Sequence, residues 1–320
     1  MKVAEARGID PALGTLSGEG AQQQIARREE APQPHPEVPN SYYGLPMLKT
    51  PVWKAYIPAY FYVGGAAGGS AVLAAASLLR RDDLPGLIRA GRWLALGGAV
   101  LSGGLLIADL GRPSRFLYML RVFRPTSPMN LGTWILSGFG AAATAALFPG
   151  RLGDAAGIAA GILGLPLCAY TAVLLSNTAV PLWQEVRGAL PAMFVASAAA
   201  SAGSLAELLP LGEAEQGVAR RLSVLGKAAE LLAAAAVERG AARKVERVAW
   251  PLTRSPLWKA GKAFMLASLA VSLLPRKPRW LRVCGGVLGS LGALAGRFAV
   301  VQAGKESARD PRASFELQRA

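Results

Sequence analysis

Histidine occurs once in the 320 residues, at His35, and cysteine twice, at Cys168 and Cys284. A b-type haem inside a helical bundle needs axial ligands there, usually histidine, and His35 lies in a polar stretch outside every apolar run. Iron–sulfur clusters need grouped cysteines, and these two stand far apart with no other ligand beside them. The same count argues against a disulfide framework or a zinc site. Both cysteines fall in apolar runs and are expected as buried free thiols. Charge is scarce too: Asp, Glu, Lys and Arg make up 17% of the chain, against about 25% in an ordinary soluble domain. We therefore expect no haem, no iron–sulfur cluster and no metal in this chain.

Apolar residues are what the chain has in excess, at 52%. Mean hydropathy is +0.32 although both ends are polar, so the middle is very apolar. Residues 1–40 include GEGAQQQIARREEAPQPHPEVPN, which cannot bury enough surface to fold alone. No apolar run follows Met1, so neither a cleavable signal peptide nor a twin-arginine signal is expected. The first span predicted is Ile57 to Leu79, 23 residues without a charge, longer than the roughly 30 Å hydrocarbon core requires. Further spans are predicted over 93–110, 131–148, 156–178 and 189–211. The signal then weakens. Val218 to Val237 reads as a sixth helix that carries Arg220, Arg221, Lys227 and Glu230. A soluble helical hairpin over 218–247 is the other reading of that stretch. Residues 263–275 and 283–296, the latter flanked by Arg282 and Arg297, complete the set. The fold class expected is an all-α integral membrane protein of about eight transmembrane helices. Its organisation would be a polar tail over 1–50, a helical domain over 51–304 and a polar tail over 305–320.

The net charge of +15 would suggest nucleic-acid binding in a soluble protein. Here Lys and Arg fall between the apolar runs and at their ends, the pattern of loops beside lipid headgroups. Nucleic acid is not expected as a partner; membrane lipid is. An even number of helices puts both termini on one side, and the Lys and Arg bias favours the cytoplasm. Glycines recur four apart, as at Gly64 and Gly68, Gly65 and Gly69, Gly157 and Gly161, and Gly285 and Gly289. That spacing lets helix backbones approach closely in lipid.

Ionisable side chains at membrane depth are costly and mark candidate sites. Asp109 ends the second run, with Arg112 three residues on as its expected counter-charge. Glu207 and Glu230 are candidates for a proton route, or else for paired charges; Lys227 and Glu230, three apart, can pair on one helix face. Aromatics crowd the start of the first span, among them Trp53, Tyr56, Tyr60 and Phe61. They read either as an interfacial belt or as a cleft for a flat aromatic ligand, with Tyr56 and Tyr60 on one face. Arg112, Arg115, Arg121 and Arg124 form a basic patch in the following loop, for headgroups or for an acidic extrinsic subunit.

Several stretches together resemble the NrfD-type membrane subunits, the polysulfide reductase membrane-anchor family. They are YYGLPMLKTPVWKAYIPAYFYVGGAAGGSAVLAA, LLIADLGRPSRFLYMLRVFRPTSPMNLGTWIL, YTAVLLSNTAVPLW and RFAVVQAGKESARDPRASFELQR. D-L-G-R-P together with T-S-P-M is the most specific part. The resemblance implies eight helices in two four-helix bundles, a quinone site and no metal cofactor in this subunit. It implies electron exchange with an extrinsic ferredoxin-like iron–sulfur subunit, commonly joined to a molybdopterin-containing catalytic subunit. The family's quinone site maps to Tyr56, Tyr60, Asp109, Gly111 and Arg112; Asp109, as the proton acceptor, and Arg112, as its counter-charge, are the expected catalytic residues. Where many relatives have an acidic or imidazole side chain near the start of the first helix, this chain has Ala55 and Tyr56. The function expected is that of a quinone-reacting subunit of a respiratory oxidoreductase in the cytoplasmic membrane. The rivals are a pure anchor and, from another class, a small-molecule or ion transporter, for which no inverted pair of broken helices is evident.

Overall fold

The computed structural model describes residues 9–10, 15–16, 46, 48–80, 84–110, 112, 118–275 and 277–319, with the backbone alone described at 9–10, 15–16 and 318–319. The chain divides into two units, Met1–Leu45 and Pro46–Ala320. In the first, β1 (Ile9–Asp10) pairs antiparallel with β2 (Thr15–Leu16). His35, Tyr42 and Tyr43 lie outside the described residues.

The second unit is helical. Its long elements are α1 (Tyr56–Leu79), α2 (Pro85–Asp109), α3 (Pro128–Ala145), α4 (Gly150–Ser176), α6 (Ala189–Leu208), α7 (Glu213–Ala241), α9 (Pro256–Leu273) and α10 (Arg279–Arg309). Three short helices, α5 (Pro181–Glu185), α8 (Glu246–Thr253) and α11 (Pro311–Arg319), accompany them. Five of the long helices, α1, α2, α4, α6 and α10, are long and apolar enough to cross a membrane. Of the other three, α3 carries Asn130 and Thr133, α7 carries six or more charges in its sequence, and α9 carries Lys259 and Lys262. Each is still at least 18 residues, or roughly 27 Å along its axis.

Proline and serine set several helix starts. Ser127 and Ser255 cap α3 and α9 with Pro128 and Pro256 just inside, where a missing N–H costs nothing. Glu215 caps α7 by accepting from the Gly212 N–H at 2.9 Å. It also accepts from the Leu87 N–H at 2.8 Å, so one carboxylate satisfies free donors at the starts of both α2 and α7.

Packing follows two sets of neighbours. α1 lies against α2 and α4, and α3 against α4 and α2; α6 lies against α7 and α10, and α9 against α10 and α7. α6 also meets α1 and α4, and α10 meets α1. The long contact of α7 with α6 is unlike the separate soluble hairpin considered for 218–247. Small residues carry these contacts, as the four-residue spacing predicts: a Cβ on Gly68 would stand 2.7 Å from the Gly164 carbonyl oxygen. Backbones that close leave no room for a methyl, and van der Waals contact is what holds helices together in lipid.

Three expectations change. Cys168 is buried but Cys284 is exposed, on a face of α10 that no neighbouring helix covers. The helix predicted to end at Gly296 runs on to Arg309, and α11 follows. Arg297, expected to flank that helix, is only 1% exposed in its interior.

Candidate functional site

The start of α1, the end of α2 and the facing parts of α3 and α4 enclose a cleft of about 110 Å³. Its wall includes Trp53, Tyr60, Phe61, Asp109, Thr133 and Tyr170. Each element places its side chains for a local reason. The loop before α3 is folded by Asn130, whose amide donates to the carbonyls of Met119 and Val122, both at 2.9 Å. Its Oδ1 accepts from the Arg124 N–H at 2.7 Å. That ties Met119 over the cleft, and it gives T-S-P-M-N a physical meaning: cap, first helical residue and loop staple. Gly132 lets the Tyr170 ring lie against α3, since a Cβ there would fall 2.1 Å from the ring. Trp53 is held by stacking on Trp183, centroids 5.6 Å apart, and its carbonyl accepts from the Lys305 ammonium. This last bond joins the entry of α1 to the end of α10, so both leave the helical unit at one end.

Besides Thr133 and Tyr170, two polar side chains line this largely apolar space. Tyr60 is 2% exposed and its hydroxyl has no hydrogen-bond partner among the described residues. A buried hydroxyl without a partner costs free energy, and a ligand acceptor in the cleft would remove that cost. Asp109, half-buried, accepts from the Lys54 N–H at 3.3 Å.

The structure thus brings Tyr60 and Asp109 together and leaves Tyr56 and Arg112 outside the cleft. Tyr56 is 43% exposed and Arg112 is exposed; neither lines the cleft. Among the described residues Arg112 makes no ion pair with Asp109. The backbone N–H of Lys54 takes the place expected of it, because the chain entering α1 passes the end of α2. Gly111 and Arg115 lie outside the described residues. Arg121 and Arg124 are exposed in the loop. The wall residues that sequence reasoning missed, Thr133 and Tyr170, come from α3 and α4 and had no local signal beyond ordinary helix positions.

A second polar cluster occupies α6, α7, α9 and α10. Lys227, 0% exposed, pairs with Glu207, 2% exposed, at 3.2 Å, not with Glu230 as its spacing suggested. Its ammonium also donates to Ser272 at 2.9 Å. Lys277 reaches Glu207 at 3.4 Å; burial pulls this loop lysine below the ordinary range even though the carboxylate opposes the shift. Glu230 is buried one turn from Lys227, with one carboxylate oxygen unpartnered. Among the described residues no group of three or more His, Cys, Asp or Glu is placed to hold a metal ion.

A family model described as polysulfide reductase, of NrfD type, matches residues 40–308. The chain belongs to the NrfD-type polysulfide reductase family. No curated protein matches it. As a member of that family the chain is a multi-pass membrane subunit of the oxidoreductase type. The match covers α1 to nearly the end of α10, and therefore the whole cleft and the whole second cluster.

Proposed function

We propose that this NrfD-type subunit reacts with membrane quinone in the cleft at the start of α1. Its eight long helices would cross the bilayer as two four-helix groups, α1 to α4 and α6, α7, α9 and α10. The observation that carries the reading is the unpartnered Tyr60 hydroxyl in an aromatic cleft whose rim holds Asp109. A quinone headgroup is flat and apolar on its faces and has an acceptor oxygen at each end. Trp53, Phe61 and Tyr170 suit the faces, and the Tyr60 hydroxyl donates to one oxygen. Asp109, nearer solvent, takes the proton that a quinol hydroxyl loses as its electrons leave, and passes it to interfacial water; the reverse steps serve quinone reduction. Met119 and Met129 complete the lining of the cleft.

Electrons pass between quinone and an extrinsic iron–sulfur subunit, joined to a molybdopterin-type catalytic subunit. Arg121 and Arg124 are exposed for contact with it. The chain itself holds no haem, cluster or metal. It lies in the cytoplasmic membrane with both ends of the helical unit on the more basic, cytoplasmic side; strong alkaline phosphatase activity from a periplasmic reporter fused after Ala320 would reverse that orientation.

Quinol-dependent turnover of the assembled complex tests the cleft. Tyr60→Phe removes one hydrogen bond, a loss of about 0.5–1.5 kcal/mol, and should raise KM for a quinol analogue up to about tenfold. Activity with an artificial dye at the extrinsic subunits should be unchanged. A native KM in the Phe variant would count against the cleft and favour a pure anchor.

A further inference from the structure

We propose that α6, α7, α9 and α10 carry a proton route across the membrane, separate from the quinone cleft and built on Glu207, Lys227, Glu230, Lys262 and Glu238. These residues form a file from one end of the helical unit to the other. At the end where α6 stops and α7 begins, Glu207 lines a surface pocket of about 320 Å³ together with Gln216, Arg220, Lys277 and Arg282. Its carboxylate contacts Lys227, deep in the unit, at 3.2 Å. Glu230 follows one turn along α7. It lines a cavity of about 20 Å³ whose wall also includes Lys262, room for about one water molecule. Lys262 then pairs with Glu238 at 2.5 Å, both of them partly exposed at the far end.

The groups around Glu230 are suited to a carboxyl that changes its proton. Lys227 approaches along α7, Arg297 from α10 and Tyr62 from α1 act on it electrostatically, Lys262 faces it from α9, and α6 contributes Ser197. Arg297 is wholly buried. One of its N–H groups donates to the Phe194 carbonyl at 2.9 Å and its guanidinium lies 3.6 Å over the Phe194 ring. Among the described residues its Nε and Nη1 and the Ser204 hydroxyl have no hydrogen-bond partner, and neither has one oxygen of Glu230. So many unpartnered polar atoms in one helix group are not explained by packing, since a well-packed apolar replacement is usually as stable or more so. They fit a path that water and protons share.

Transfer along the file balances at every step. Glu207 takes a proton from water at the open pocket. Lys227 gives its proton to the Glu230 carboxylate and regains one from Glu207. Glu230 passes its proton through the small cavity to the Lys262 and Glu238 pair, which returns it to water. One O–H or N–H bond forms as another breaks, and the same order serves in reverse.

The test is a proton count in vesicles that contain the complete complex, with a pH-sensitive dye inside, after a pulse of quinol. The native complex should move more protons than the pair each quinol releases. Glu230→Gln, and separately the neutral pair Glu207→Gln with Lys227→Met, should cut the count to that pair while quinol is still consumed at half the native rate or faster. Tyr60→Phe should do the opposite, slowing quinol consumption with the count per quinol unchanged, so failure of the cleft and failure of the route are told apart. A native count no higher than the quinol pair, or an unchanged count in either assembled variant, overturns the route. Labelling by a hydrophobic carbodiimide, which attacks protonated buried carboxyls, decides the matter where neither variant assembles or quinol is not consumed. Glu230 of the native complex should be modified ahead of Glu213 and Glu215, and an unlabelled Glu230 overturns the proposal.

Discussion

The two helix groups treat polar side chains in opposite ways. In α1 to α4 the polar groups of the cleft stand at helix ends, where Asp109 meets the backbone of Lys54 and aromatic rings fill the space below. In α6, α7, α9 and α10 the charges are sunk into the interior, with Lys227 and Arg297 at 0% and 1% exposure. A redox substrate that arrives through lipid needs an apolar slot with a few polar groups near the rim. A group that only exchanges protons needs no slot, but it does need partners along its whole depth, because an isolated charge at membrane depth is too costly to keep. The difference in burial is thus a difference in what each group can do.

The largest expected effect comes from breaking the interior pair. Lys227→Ala leaves the buried Glu207 carboxylate with Lys277 and the Ser272 hydroxyl beside it. Loss of one partner of a buried pair costs about 3–5 kcal/mol, less here by whatever Lys277 recovers. The variant should accumulate poorly and melt earlier in detergent, whereas neutralising both partners should restore the yield. Native yield from Lys227→Ala would mean that the interior charges are as dispensable as surface ones.

Next comes the rim of the cleft. Asp109→Asn keeps size and hydrogen bonding and removes the proton acceptor, a loss of at least roughly tenfold in quinol turnover. The complex should still assemble and still react with an artificial dye. Normal quinol turnover would make Asp109 a structural link between α2 and the entry to α1.

The smallest effect sharpens the comparison from outside. Arg112 is exposed and lines no cleft, so Arg112→Gln should alter turnover by no more than about twofold, the usual limit for a surface change of about 0.5 kcal/mol. A tenfold loss measured in the same assay would bring Arg112 into the chemistry and restore the pairing its spacing suggested.

Much of the molecule was legible without coordinates. Uncharged runs such as 57–79 can satisfy their backbone in lipid only as helices, so the sequence by itself determined a multi-pass helical protein. Glycines four apart foretold where helices pack, because that signal is local, whereas the start of α1 and the end of α2 were singled out by the family resemblance that D-L-G-R-P and T-S-P-M carry. The partners were not local. Lys227 had Glu230 one turn away, yet it pairs with Glu207 on another helix. Asp109 had Arg112 three residues on, yet it is met by the backbone of Lys54. Arg297 looked like the end of a span and is the buried neighbour of Phe194. In each case helical spacing offers a neighbour, but a charge inside a bundle pairs with whatever the adjoining helices bring within about 4 Å, and helix packing alone decides that.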